Sequence, residues 1–200
     1  MILVLTDFLY ISNMKKILLF FLLATQFLIG QNQEQIKKEF TAYIQATNSL
    51  NASQTHALTY PAIFEKVTVQ MLQDMYKNLS QNPNFNILTN STNTPIKINE
   101  VVESGGRKFV KIIAENQVLM TFKSPVNDPN VMASDFKVSM NAKKVNFDPK
   151  SNTFNIIHDI TVIGVQDSST QNTWKFINFS PRKNVIAELF GKEVSKLLKL

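Results

Sequence analysis

Ser104-Gly105-Gly106-Arg107-Lys108-Phe109-Val110-Lys111-Ile112-Ile113 decides the fold class, because here the chain stops repeating with a helical period and begins to alternate. Two adjacent glycines tolerate the positive φ that a two-residue hairpin turn demands. Before them Pro95-Ile96-Lys97-Ile98-Asn99 alternates apolar with polar residues. After them Phe109, Val110, Ile112 and Ile113 supply a return strand that continues through Val118, Met120 and Phe122. A strand this long is expected to bend or bulge near Glu115-Asn116-Gln117.

Upstream of the hairpin the period is helical. Ile36, Phe40, Tyr43 and Ile44 share one face while Glu34, Lys37, Lys38 and Glu39 face elsewhere, which predicts an amphipathic helix over 33–47. His56, Ala57, Leu58 and Tyr60 belong to a second, short helix ending near Pro61, whose ring cannot continue a helix interior. Thr68 is the expected cap of a third, with Met71, Leu72, Met75, Tyr76 and Leu79 along one face. The asparagines at 82, 84, 86, 90 and 93 read as an irregular exposed loop.

Downstream, Met132, Phe136 and Met140 recur at four-residue intervals and predict a helix after Asp128-Pro129. Val145 to Asp148 reads as a short strand, and Asp148-Pro149-Lys150-Ser151-Asn152 as a turn. Thr153-Phe154-Asn155-Ile156 leads into Ile160-Thr161-Val162-Ile163-Gly164-Val165, β-branched enough for a central strand. Trp174-Lys175-Phe176-Ile177-Asn178-Phe179 reads as a last strand. Val185, Ile186, Leu189, Phe190, Val194, Leu197 and Leu198 form a C-terminal helical tail interrupted at Gly191. The order is that of an α+β domain with a curved antiparallel sheet wrapped around N-terminal helices.

The N-terminus carries an address. Met14-Lys15-Lys16 runs into an apolar block from Ile17 to Ile29, about 13 residues long, where a membrane-spanning helix needs about 20. Residues 1–30 are therefore read as a signal peptide cleaved after Gly30, with translation starting at Met14, since residues 1–13 hold Asp7 and no cation. A longer uncleaved anchor including Ile2 to Leu5 is the alternative, interrupted by Asp7, Asn13, Lys15 and Lys16. Residues 31–200 are expected to form one exported domain, periplasmic or secreted, with no membrane span after cleavage. The absence of cysteine excludes disulfides, thiolate metal sites and a lipid-anchored cysteine.

The net charge of +6 comes from scattered residues. No Lys or Arg run interleaves with aromatics, so a nucleic-acid surface is not indicated. Two histidines and no clustered acids leave too few ligands for a protein-only metal site, and no cofactor motif is present.

Leu58-Thr59-Tyr60-Pro61-Ala62-Ile63-Phe64, Lys144-Val145-Asn146-Phe147-Asp148 before Phe154, Asn172-Thr173-Trp174-Lys175-Phe176-Ile177 and Phe190-Gly191-Lys192-Glu193-Val194 carry a resemblance. With helices first and a Trp-bearing strand last, the chain resembles the nuclear transport factor 2-like (NTF2-like, SnoaL-like) superfamily. Within it, the chain looks like small exported bacterial proteins of unknown function. The resemblance implies a cone that is either an enzyme pocket, as in ketosteroid isomerases and polyketide cyclases, or a scaffold for a ligand or partner. The isomerase pattern of an acidic base facing Tyr and protonated Asp donors cannot be placed on this sequence.

Catalytic candidates are accordingly few. His158-Asp159 puts imidazole beside carboxylate, but adjacent strand residues point to opposite faces; the pair is either a strand-edge feature or a general-base or ligand role for His158. His56 and Tyr60, four apart, are expected on one helical face, either as core packing or as groups sharing a pocket. The ligand-facing set is expected among Phe109, Ile112, Met120, Phe154, Val162 and Trp174, for a small apolar or amphipathic molecule, with core filling as the other account of the same residues. Lys192, Lys196 and Lys199 line one face, as a solvated helix end or as a contact to an anionic partner. A non-catalytic binding domain is thus the leading expectation. Proton transfer or hydrolysis through His158 or the His56 and Tyr60 pair is the alternative, with a homodimer or an envelope complex as the interaction role.

Overall fold

Two long strands, β4 (Arg107–Phe122) and β6 (Thr153–Gln166), pair antiparallel without a break from Lys108↔Gln166 to Thr121↔Thr153. The computed structural model describes residues 33–65, 67–90, 96–180 and 184–200. The signal-peptide reading of residues 1–30 lies outside them. The chain divides into two units, residues 1–38 and 39–200. In the first the described residues, 33–38, are helical; the second opens with the rest of that helix, and the stretch 33–48 is named α1. Among the described residues, the sheet and every other helix belong to the second unit.

The fold class is α+β, with a seven-stranded antiparallel sheet among the described residues. Three short strands share the outer edge of β4: β1 (Phe85–Asn90), β2 (Ile96–Ile98) and β3 (Val102–Ser104). The outer edge of β6 is shared by β5 (Ala142–Asp148) and β7 (Lys175–Phe179). The sheet is therefore four strands wide, with its length set by β4 and β6.

The hairpin turn forms as expected. Gly105 and Gly106 both have positive φ, +58° and +73°, between the paired Ser104 and Arg107. The bulge expected at Glu115-Asn116-Gln117 is absent, because those three residues keep register with Asp159, His158 and Ile157. The irregularity lies instead on β5, between Ala142 and Lys144. The extra residue, Lys143, reaches the carboxylates of Asp159 at 2.7 Å and Glu115 at 3.4 Å.

The loop expected over the asparagine-rich stretch holds at Asn82 and Asn84 but not at Asn86 and Asn90, which lie on β1, and Asn93 is outside the described residues. Phe85, Ile87 and Thr89 alternate with Asn86, Leu88 and Asn90, and the first three are the more buried. Counting asparagines hid a period-two strand that pairs Ile87 with Met120 and Thr89 with Val118.

Because register is unbroken, parity assigns the faces of the sheet. Val110, Ile112, Ala114, Asn116, Val118 and Met120 share one face with their partners Gly164, Val162, Ile160, His158, Ile156 and Phe154. Helices cover this face at both ends. At one end α1 sets Phe40 and Tyr43 against Phe176, with ring centroids 5.8 and 5.3 Å apart. At the other, α4 (Pro129–Ser139), capped by Asp128 on the Val131 N–H, lays Phe136 against Phe154 at 5.2 Å.

The opposite face carries α5 (Val185–Phe190) and α6 (Lys192–Leu197), separated at Gly191 with φ +88°. These are not a loose tail. Ile186, Val194 and Leu198 are buried against Phe109, Ile163, Val165 and Ile177.

Between α1 and the sheet hairpin come α2 (Ala52–Leu58), a 3₁₀ turn (Pro61–Glu65) and α3 (Val69–Ser80). Thr68 caps α3 by accepting the Met71 N–H at 3.2 Å. The second helix ends two residues earlier than the sequence suggests. Tyr60 is not helical: it follows Thr59, which bridges in parallel to Phe176, and its N–H donates to the Phe176 carbonyl. His56 and Tyr60 therefore do not share a helical face. Among the described residues, no helix is long and apolar enough to cross a membrane.

Candidate functional site

The helices do not close down on the middle of the sheet. Between the two covered ends lies a cavity of about 720 Å3, inside the 300–1,000 Å3 range of small-molecule sites. Its floor is the helix-facing side of the sheet: Asn116, Val118 and Met120 from β4, His158, Ile160 and Val162 from β6, and Ile87 and Thr89 from β1. Its roof is Tyr43, Ile44 and Thr47 of α1, Thr55 of α2, and Leu72, Met75, Tyr76 and Leu79 of α3. The α3 residues recur at three- and four-residue spacing, so one stripe faces the cavity while Gln73, Asp74 and Lys77 are exposed.

Polar side chains make up less than half of the lining and are mostly hydroxyls, beside the amides of Asn48, Asn116 and Asn178 and the His158 imidazole. Tyr76 donates its hydroxyl proton to Thr55 Oγ1 at 3.2 Å. Burial and the neighbouring Tyr76 push the Tyr43 hydroxyl up to about 12, outweighing the opposing effect of its bond to Thr59. On the floor the Asn116 amide nitrogen lies 3.1 Å from His158 Nε2. With the amide nitrogen as donor, the tautomer that makes this contact is the one carrying its proton on Nδ1.

Burial also pulls the His158 pKa below 6.5, against the opposing pull of the Asp159 backbone and charge. The ring is neutral at pH 7. A depressed histidine pKa means that the unfolded chain binds the proton more readily, so stability falls as pH drops below about 6.5. Thermal midpoints taken between about pH 7.5 and 5.5 should fall, and should fall less in His158→Gln; equal slopes would contradict this.

The sequence candidates fall in several places. Met120 and Val162 line the cavity, as does His158. Ile112 is on the same face but fully buried. Phe154 lies beneath Phe136, and Trp174 is buried over Gly164, its backbone N–H donating to Glu39 Oε2 at 2.7 Å. Phe109 is on the opposite face, under Phe190 at 5.0 Å. Asp159 also points away from the cavity, toward Lys143. His56 stacks on Phe64 at 3.6 Å, and Tyr60 reaches across to donate to Asp167 at 2.8 Å. His158, His56 and Tyr60 thus do not converge. Lys192 and Lys199 are exposed on and beyond α6, and Lys196 pairs with Glu193 at 3.1 Å.

Sequence reading missed Tyr43, Tyr76, Thr55, Thr59 and Asn116 as site residues. The two tyrosines sat in helical stripes that read as core, and only their hydroxyls mark them as something more. No carboxylate lines the cavity among the described residues, and no group of three His, Cys, Asp or Glu is close enough there to hold a metal ion. What remains is a neutral, hydroxyl-edged apolar chamber with one imidazole on its floor. No protein-family model matches the chain, and no curated protein is significantly similar to it.

Proposed function

We propose that this is an exported, non-catalytic binding domain of NTF2-like architecture that holds a small apolar or amphipathic molecule between its sheet and its N-terminal helices. The observation that carries the reading is the cavity itself. Met75, Met120 and Ile160 border a space of about 720 Å3 between the sheet and the helices. Interiors pack close to crystal density, so a space of that size against the covered face of the sheet is a natural place for a ligand.

The NTF2-like assignment is supported by helices preceding a long antiparallel sheet whose covered face lines a pocket. Export is supported by the cationic and apolar sequence from Met14 to Gly30. Methionines at the rim suit an adaptable site, since the thioether chain repacks around differently shaped ligands.

Fluorescence titration with the neutral apolar dye N-phenyl-1-naphthylamine tests this. The folded chain should bind the dye saturably, and Met120→Trp, which puts an indole into the chamber, should weaken binding at least tenfold while leaving the thermal midpoint near that of the parent. Equal dye binding in parent and variant would place the dye elsewhere and remove the support.

A further inference from the structure

We infer that the molecule held in the cavity is uncharged and apolar with a single hydroxyl or carbonyl group, which it sets against the hydroxyls of Tyr43, Tyr76, Thr55 and Thr59. The inference rests on the ligand-site reading and narrows it to one chemical class.

The chamber selects against charge. The chain has 21 basic and 15 acidic side chains, yet no residue that lines the cavity, among those described, is charged at neutral pH. Several nearby ions among the described residues are turned outward. Lys143 occupies Asp159 and Glu115 on the far face of the sheet, and Lys77 and Asp74 are exposed on the outer side of α3. A carboxylate or ammonium set deep in the chamber would give up water and meet no counter-ion among the described residues.

Most of the hydroxyl groups are gathered in one corner. Thr55 and Thr59 lie one helical turn apart, and Tyr76 bonds to the first while Tyr43 meets the second. Tyr76 donates to Thr55, which leaves the tyrosine oxygen free to accept. Tyr43 keeps its proton far above working pH. Hydroxyls can both donate and accept, so this corner suits an alcohol or a carbonyl equally. Elsewhere the walls are mostly Ile, Leu, Met and Val, and the floor histidine is neutral with its Nε2 already facing Asn116. An apolar body with one neutral polar end fits that division.

The test is displacement of N-phenyl-1-naphthylamine at about pH 8 by 1-dodecanol, dodecanoate and dodecylammonium, three chains of equal length that differ in charge. Dodecanol should compete at concentrations at least tenfold lower than either ion. Removing both phenolic hydroxyls in Tyr43→Phe/Tyr76→Phe should weaken dodecanol several-fold and leave dye affinity within twofold, and the single Tyr76→Phe variant should give a smaller change of the same sign. An ion that competes as well as the alcohol overturns the inference while leaving the ligand site standing. So does an alcohol whose affinity ignores both tyrosines. A protein that binds no dye overturns the site and this inference together.

Discussion

Asp167→Ala is expected to cost about 3 kcal/mol of stability and to lower the thermal midpoint by roughly 10 °C. Asp167 is buried at the end of β6 and caps the 3₁₀ turn Ser168–Thr170. One carboxylate oxygen accepts the Tyr60 hydroxyl at 2.8 Å and Arg107 Nε at 3.2 Å; the other accepts from Ser169 and Thr170. Burial alone would push this carboxyl up. The Ser169 and Tyr60 hydroxyls, with the N–H groups of Thr170 and Ser169, nonetheless hold it below its usual value. Alanine would leave the buried Tyr60 hydroxyl without its acceptor and remove the cap.

The same bonds tie together three parts of the chain: the turn after α2, the β3–β4 hairpin and the end of β6. Arg107 lies 5.8 Å over the Phe190 ring as well, which adds α5 to the junction. Arg107 is half exposed, however, and water can replace its partner. Arg107→Ala should therefore cost about 1 kcal/mol, well below the aspartate variant. Chemical denaturation of the two variants separates them, and equal losses would mean that the ion pair, not the buried hydrogen bonds, holds the junction. Because the Asp167 pKa is depressed on folding, its contribution is present above about pH 4 and is lost as pH falls through the folded value.

Gly164→Val should be at least as damaging, about 3 kcal/mol or more. A Cβ at position 164 would sit 2.7 Å from Val110 Cγ1, 3.2 Å from Trp174 Cε3 and 3.4 Å from Phe176 Cε1. All three neighbours are fully or almost fully buried, so none has space to withdraw. Gly164 has no positive φ, and the demand for glycine is one of room, first for Val110 and then for Trp174 and Phe176. A double-mutant cycle with Val110→Ala checks the cause. Gly164→Ala should cost less in the Val110→Ala background than in the parent, by about 0.5–3 kcal/mol, and strict additivity would rule out the contact with Val110 as the origin.

Local chemistry made much of the fold legible. Gly105-Gly106 announced the hairpin, Thr68 and Asp128 announced two helix starts, and Gly191 divided the C-terminal helices. Each is a position where one residue type satisfies a specific backbone requirement. β1 was hidden because its outward residues are mostly asparagines, which composition assigns to loops although strand alternation was present. The polar run at 115–117 suggested a bulge, whereas Asn116 faces His158 and Gln117 bonds Asn155 at 3.0 Å, so cross-strand partners keep those residues in register.

The site was less legible than the fold. Strand parity alone separates Phe109 from Ile112, since an odd and an even position on an unbroken strand cannot face the same side. What parity cannot supply is which helix stands over which residue. Met120 borders the cavity, while Ile112, Phe154 and Trp174 are covered; that difference depends on where α1 and α4 land along the sheet. The hydroxyl corner brings together Tyr43, Thr55, Thr59 and Tyr76 from α1, from α2 and its end, and from α3, a juxtaposition with no local signature.

Native mass spectrometry of the protein isolated without detergent from its own host tests the central claim most directly, read beside Met120→Trp prepared the same way. The account predicts that the parent carries a non-covalent small-molecule mass that is lost on denaturation and is absent or strongly depleted in the variant. A parent with the bare polypeptide mass in every charge state, or an increment that survives unchanged in Met120→Trp, would contradict it.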